Sequence, residues 1–314
     1  MCFFVVDDFV DIPSLRVESW QLMLGYLPLN EEIRAKTLER KRVAYLELVE
    51  KYFSEESSSE RSDYEKESYK LILKDVPRTM PDYPLFSTEM LKDALTHILY
   101  IWTIRHPASG YVQGINDLCI PFLIIFLSEH LDINLEDLEC DENELGKLKE
   151  SGILLQIEAD CYYALSQIID GIQDVYTNFQ PGMQKMIEKM KEIVKRVDRK
   201  LYDHLHEQDI DFLQFAFRWI NCFLTREFTV KSIIRMWDTY IAEENGFAVF
   251  HVYVCAALLL TWAKDLVQMD FQNLMLFLQK LPTQKWDNDE IDILLAHAYQ
   301  YKTLFHYSPS HFKS

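Results

Sequence analysis

LILKDVPRTMPDYPLFSTEMLKDALTHILYIWTIRHPASGYVQGIND, residues 71–117, contains both kinds of text from which this chain is built. Its middle, residues 88–105, sets Leu91, Leu95, Ile98, Leu99 and Trp102 at three- and four-residue intervals, which predicts a helix with those side chains inward. The ends read differently. In ILKDVPRT (72–79), Pro77 pushes the residue before it out of the α region, so a short helical turn over 69–74 stops there and Arg78 falls at a backbone break. Residues 79–87, with Pro81 and Pro84, predict an extended or polyproline-like link. In GYVQGIND (110–117), which follows the helix-ending His106, Pro107 and Gly110, Gln113 is expected at the start of the next helix.

Arg78 and Gln113 are far apart in the chain, yet the lengths allow them to meet. An 18-residue helix advances about 27 Å, and nine extended residues cover at most about 30 Å. The outbound link and the returning helix can cancel.

Outward from this stretch the text is helical. Only 8 Gly and 10 Pro punctuate 314 residues of 49% apolar content, so the expected class is all-α with a large core. Leu15, Trp20, Met23 and Leu24 share a face of a first short helix. Ile33, Leu38, Val43, Leu46 and Val49 form the predicted buried stripe of a helix over 31–53. Residues 54–67, SEESSSERSDYEKE, are too polar to offset their ordering entropy and predict a mobile loop, either a plain linker or a phosphorylation site. Residues 113–130 are apolar on nearly every side, which predicts a central buried helix. Residues 132–150 hold eight acids against Lys147 and Lys149 and read as an acidic insertion loop. Amphipathic helices are expected over 158–171, 183–193, 193–205, 211–223, 230–241, 247–263, 271–281 and 289–305, with a hinge somewhere in 171–182.

A net charge of −18 without a basic patch argues against nucleic acid as a partner. The six cysteines are widely spaced in apolar text and read as reduced, mostly buried thiols of a cytosolic protein. Residues 1–6 are too short for a signal sequence, and the abrupt start fits a fragment equally well. The apolar run 247–263 is short for a membrane span and carries His251, so a core helix is expected. Phosphate-loop, dinucleotide and H-E-x-x-H strings are missing, and His204 and His206 face different sides of a helix, so neither a bound nucleotide nor a metal is expected.

What remains is a pair of polar side chains. In I-x-x-D-x-x-R, Ile72 can anchor the turn while Asp75 reaches the guanidinium of Arg78 three residues on. In Y-x-Q, Tyr111 can pack or hydrogen-bond while Gln113 offers an amide that donates and accepts. From the residues alone, Arg78 is a preorganised cation or a surface salt-bridge partner, and Gln113 orients a water or merely starts a helix. Asn116 and Asp117 brace or cap that helix start.

These strings resemble the two signature motifs of the TBC-domain Rab GTPase-activating protein family. RVESWQLMLGYLP (16–28), IRHPASGYVQGINDL (104–118), FRWINCFLTREF (217–228) and IRMWDTYIAEE (234–244) resemble the family in order and spacing, over residues 12–307, and the wording around Gln113 is similar to its secretory-pathway, Golgi-type branch. The resemblance implies one V-shaped all-α domain with lobes over 12–175 and 176–307. It implies that Arg78 is an arginine finger and Gln113 a glutamine finger, completing the site of a GTP-bound Rab in trans, with Ile72, Asp75, Tyr111 and Asn116 in support. By that resemblance the chain is a GTPase activator rather than an enzyme in its own right, and GTP and Mg²⁺ arrive on the partner. The protein would be cytoplasmic, recruited to Golgi or other secretory membranes through partner proteins. Trp20, Arg218, Trp219, Trp237 and Asp238 match family positions that read as packing and buried polar bracing. The competing readings are a Rab-binding adaptor or scaffold without acceleration, and a purely structural helical protein.

Overall fold

The computed structural model describes residues 13–56, 60–139, 141–177 and 179–306, and every regular element among them is helical. The chain divides into two compact units, residues 1–178 and 179–314.

The first unit contains α1 (Pro13–Met23), α2 (Arg34–Phe53), α3 (Asp63–Asp75), a 3-10 turn (Val76–Arg78), α4 (Pro84–Ser87), α5 (Glu89–Arg105), α6 (Ile115–Leu127), α7 (Glu142–Glu150) and α8 (Ile153–Gly171). All residues of α6 are buried. That is the outcome its text, apolar on nearly every side, predicts, since a helix with no wide polar face must be enclosed. α8 packs along α6 and α5, α2 lies on α8, and α1 lies on α6 with Trp20 edge-on to Phe122 at 5.8 Å. Burying aromatic residues of this size contributes most of the apolar stabilisation available to a core.

The second unit contains α9 (Pro181–Val197), α10 (Arg199–Glu207), α11 (Leu213–Asn221), α12 (Val230–Ala242), α13 (His251–Thr261), α14 (Ala263–Leu266), α15 (Phe271–Gln279) and α16 (Asn288–Phe305), with α16, α9 and α11 packed on α13. A wide π-type turn, Gly246–Phe250, leads into α13. Gly246 is required there because a Cβ would sit 1.9 Å from the Tyr240 carbonyl oxygen. Trp219 and Trp237 are fully buried and Asp238 nearly so. No single described helix is long and apolar enough to cross a membrane.

Several expectations are corrected. Residues 79–87 are not extended: Met80 adopts left-handed φ, and Pro84 opens the helical turn α4. A proline is preorganised for that first helical position, and it needs only the residue before it, Tyr83, to be extended. Helix α3 starts at Asp63, within the stretch read as a mobile loop. Ser62 and Glu65 form a reciprocal capping box there, so two of the polar residues counted against order are helix-start signals. Residues 57–59 lie outside the described residues. The acidic stretch likewise contains helix α7, capped by Asp141. The apolar stripe predicted over 31–53 is not the buried face: Ile33, in a 3-10 turn before α2, and Val43 and Leu46 on it are 47%, 50% and 38% exposed, and on α2 Tyr45 alone is fully buried. The reason lies across the interface, where α8 presents Glu158 and Asp160 and so draws Tyr45 and Arg42 inward. On α1, Met23 is exposed while Val17, Trp20 and Gln21 are buried.

Candidate functional site

The expected break before Pro77 is not found: Val76 stays helical at φ −54° and ψ −49°, and the 3-10 turn ending in Arg78 continues directly from α3, whose Ile72 is fully buried and accepts the Val76 N–H at its carbonyl. Ile72 thereby anchors the turn. Asp75, one turn later on the same helix, is also buried and presents both carboxylate oxygens to a polar cluster. Oδ1 pairs with Arg78 Nη2, and Oδ2 accepts the Tyr111 hydroxyl proton at 2.8 Å. Burial and the Asp75 charge hold the Tyr111 phenol far above its ordinary pKa, so it remains a donor at any physiological pH. Arg78 itself is half exposed, 51% against 6% for the Asp75 side chain. A buried carboxylate therefore grips one end of a guanidinium whose remainder faces outward.

The second segment leaves α5 at His106, whose ring stacks on Trp102 at 4.5 Å and whose Nδ1 bonds the Trp102 carbonyl oxygen at 2.7 Å. It runs through Tyr111 to Gln113, which is exposed. Gln113 is not the first residue of the helix, as expected, but lies two residues before α6. Gly114 intervenes with φ of 109°, a left-handed conformation that glycine adopts without strain. The Gly114 N–H donates to Asn116 Oδ1 at 3.1 Å, and Asn116 Nδ2 donates to Thr79 Oγ1 at 2.9 Å. The structure thus joins Ile72, Asp75, Arg78, Tyr111 and Asn116 into one neighbourhood and leaves Arg78 and Gln113 at its surface. Thr79 belongs to the same cluster and was missed. Its one signal was a hydroxyl next to the arginine, which is too common a pairing to single it out.

Asp117 is also buried in this cluster, accepting from Asn116 Nδ2 at 3.4 Å, whereas the buried Glu227 serves another end. Glu227 takes a bidentate contact from Arg218, 2.6 and 2.9 Å, and burial raises its pKa against the opposing pull of that guanidinium. His204 Nε2 bonds the Met269 carbonyl oxygen at 2.8 Å. Cys119, Cys161, Cys222 and Cys255 are buried free thiols, while Cys2 and Cys140 lie outside the described residues.

Residues 13–267 match the model of the Rab-GTPase-TBC domain. The chain belongs to that family. This TBC chain is 44% identical over 301 residues to TBC1 domain family member 22B of Homo sapiens, an alignment covering 96% of this chain and 58% of the relative. It is 43% identical over 295 residues to the GTPase-activating protein gyp1 of Schizosaccharomyces pombe, covering 94% and 56%. The TBC chain therefore spans a little over half the length of these curated relatives. Among solved structures, the Ypt/Rab-GAP domain of Gyp1p superimposes with a TM-score of 0.82 at 36% identity, covering 94% of this chain and 92% of that one.

Proposed function

We propose that this chain is a GTPase-activating protein for Rab-family small GTPases, supplying Arg78 and Gln113 in trans to a GTP-bound partner. One observation carries the reading: a half-exposed arginine is gripped from behind by a buried carboxylate that a half-buried tyrosine also bonds. Such an arginine is oriented before its target arrives, and its remaining N–H groups point where a phosphate can come.

In this reading Arg78 meets the charge that develops on the β,γ-bridging and γ-phosphate oxygens as the bond breaks. Gln113, with one amide group that donates and one that accepts, holds the attacking water in line. Docking excludes solvent from the junction, which strengthens both contacts. GTP and Mg²⁺ are carried by the partner, so the chain completes an active site instead of containing one. Work at secretory-pathway membranes, reached through partner proteins, belongs to the same proposal.

The test is phosphate release from a panel of GTP-loaded Rabs with catalytic amounts of the chain. Acceleration of at least one Rab is expected, and Arg78→Ala or Gln113→Ala each lowers the accelerated rate by about two orders of magnitude or more with the fold intact. Near-normal rates in both variants overturn the two-finger mechanism. Binding of a GTP-loaded Rab at the intrinsic hydrolysis rate would make the chain an adaptor instead.

A further inference from the structure

Side-chain ties connect the segment that carries Arg78 to the segment that carries Gln113, and two of them have a defined geometry. The first is the Tyr111 hydroxyl on Asp75. A single tie between two short segments acts as a pivot. The second is made by Thr79 and Asn116, which lie 37 positions apart and are both buried, at 1% and 0% exposure. Thr79 directly follows Arg78, and its hydroxyl donates to the Asp75 carbonyl oxygen at 3.0 Å, so its oxygen is left to accept. Asn116 Nδ2 fills that role at 2.9 Å, and Asn116 Oδ1 accepts the N–H of Gly114, the residue that directly follows Gln113. Both ends specify the same amide orientation, because a backbone N–H only donates and the threonine proton is already committed. The link is therefore a complete polar network in a buried setting, where misalignment leaves unsatisfied groups.

We propose that Thr79 and Asn116 are positioning residues, forming an internal strap that fixes the Arg78 and Gln113 segments in one register. The two fingers then reach the partner as one rigid unit, not as two independent loops. This rests on reading Arg78 and Gln113 as fingers, but the strap itself is a property of the isolated chain.

The experiment compares Thr79→Val, which keeps the branched shape and deletes the hydroxyl, with Thr79→Ser, which keeps the hydroxyl. The substrate is a Rab that the wild-type chain accelerates. Thr79→Val is expected to lower the saturated hydrolysis rate about tenfold, since small errors of placement are expensive in a reacting geometry. The half-saturating Rab concentration stays within about twofold, because the docking surface is unchanged. Thr79→Ser restores the rate to within about twofold of wild type. In the isolated chain, amide hydrogen exchange over residues 112–117 rises about tenfold in Thr79→Val and returns with Thr79→Ser. Should Thr79→Val fail to fold, Thr79→Ala leaves room for a water at Asn116, and about a threefold loss is expected. Unchanged exchange and rate in the valine variant overturn the strap, as does a serine variant no better than valine. A loss confined to half-saturation overturns it too. A wild-type chain that accelerates no Rab sinks the finger reading, and the exchange result then decides the strap alone.

Discussion

Asp75 and Asp160 are buried aspartates of the same unit, and each is approached by one arginine and one tyrosine, yet the two clusters leave their arginines in opposite states. At Asp160, Arg42 binds both oxygens, Nε to Oδ1 at 3.0 Å and Nη2 to Oδ2 at 2.7 Å. Its Nη1 is taken by Gln156 at 2.7 Å. Tyr26 and Gln21 complete the carboxylate at 2.6 and 3.2 Å. Every arm of that guanidinium is occupied, and the Asp160 carboxylate joins α1, α2 and α8. At Asp75 the carboxylate is shared between Arg78 and Tyr111, and Asp75 is the one side-chain partner of Arg78 among the described residues. Residue types alone do not separate a structural arginine from a reactive one. The count of donors still uncommitted does, because only those can meet a charge brought by another molecule.

The sharpest way to break this contrast is to remove each arginine. Arg78→Ala should cost about two orders of magnitude or more in accelerated hydrolysis, with an unfolding free-energy loss of only about 1 kcal/mol, because the arginine is half exposed and Tyr111 still bonds the buried Asp75 carboxylate. Arg42→Ala should do the reverse, lowering unfolding free energy by about 3 kcal/mol through the stranded Asp160 charge, with the rate per folded molecule within about threefold. Denaturant titration and single-turnover phosphate release read both, and an exchange of the two signatures would refute the assignment. A smaller effect is expected from Asp75→Asn, which keeps the volume and removes the charge that orients Arg78: the saturated rate falls about thirtyfold, measured in the same assay.

The tyrosines give a finer division. Burial, aided by the neighbouring aspartate, raises the pKa of both Tyr26 and Tyr111, so each donates to its carboxylate across the working range. Tyr26→Phe should lower stability by about 2 kcal/mol, as expected for a bond to a charged acceptor. Tyr111→Phe should lower the rate about tenfold for a similar or smaller stability loss. Equal kinetic effects of the two would blur the distinction between the clusters.

The smallest expected effect extends the comparison to a cluster without charge. In the second unit, buried His251 bonds the Tyr240 hydroxyl at 2.9 Å and the Trp219 carbonyl oxygen at 3.2 Å. Burial lowers its pKa to about 3, despite the opposing pull of the Trp219 carbonyl. The unfolded chain takes up that proton near pH 6.5, while the folded one resists it until about 3. The stability contributed by neutral His251 is thus full above pH 6.5 and lost as the pH falls through that window. Between pH 7 and 5.5 the loss is about 1 kcal/mol, and His251→Gln should remove that increment from the urea midpoints.

Legibility followed the range of the cause. Ile72, Asp75, Arg78, Tyr111, Gln113 and Asn116 stood out as strings, and the structure gathers the supporting side chains around Arg78 while leaving Gln113 exposed beside Gly114. Thr79 and Asp160 did not stand out, because their importance lies in what they touch. The loop readings at 54–67 and 132–150 failed because polar composition was counted without asking whether Ser62, Glu65 and Asp141 were helix caps.

The sequence by itself determined an all-helical chain, its central apolar helix, and two motif strings bounded by proline and glycine, since periodicity and backbone restriction act over a few residues. Only the tertiary structure decided which face of α2 is buried, which arginine keeps its donors, and that an asparagine ties the two segments together. Those outcomes depend on partners far along the chain, such as the 118 positions between Arg42 and Asp160. A buried carboxylate selects its partners by geometry and desolvation, which come into being only when the helices have packed.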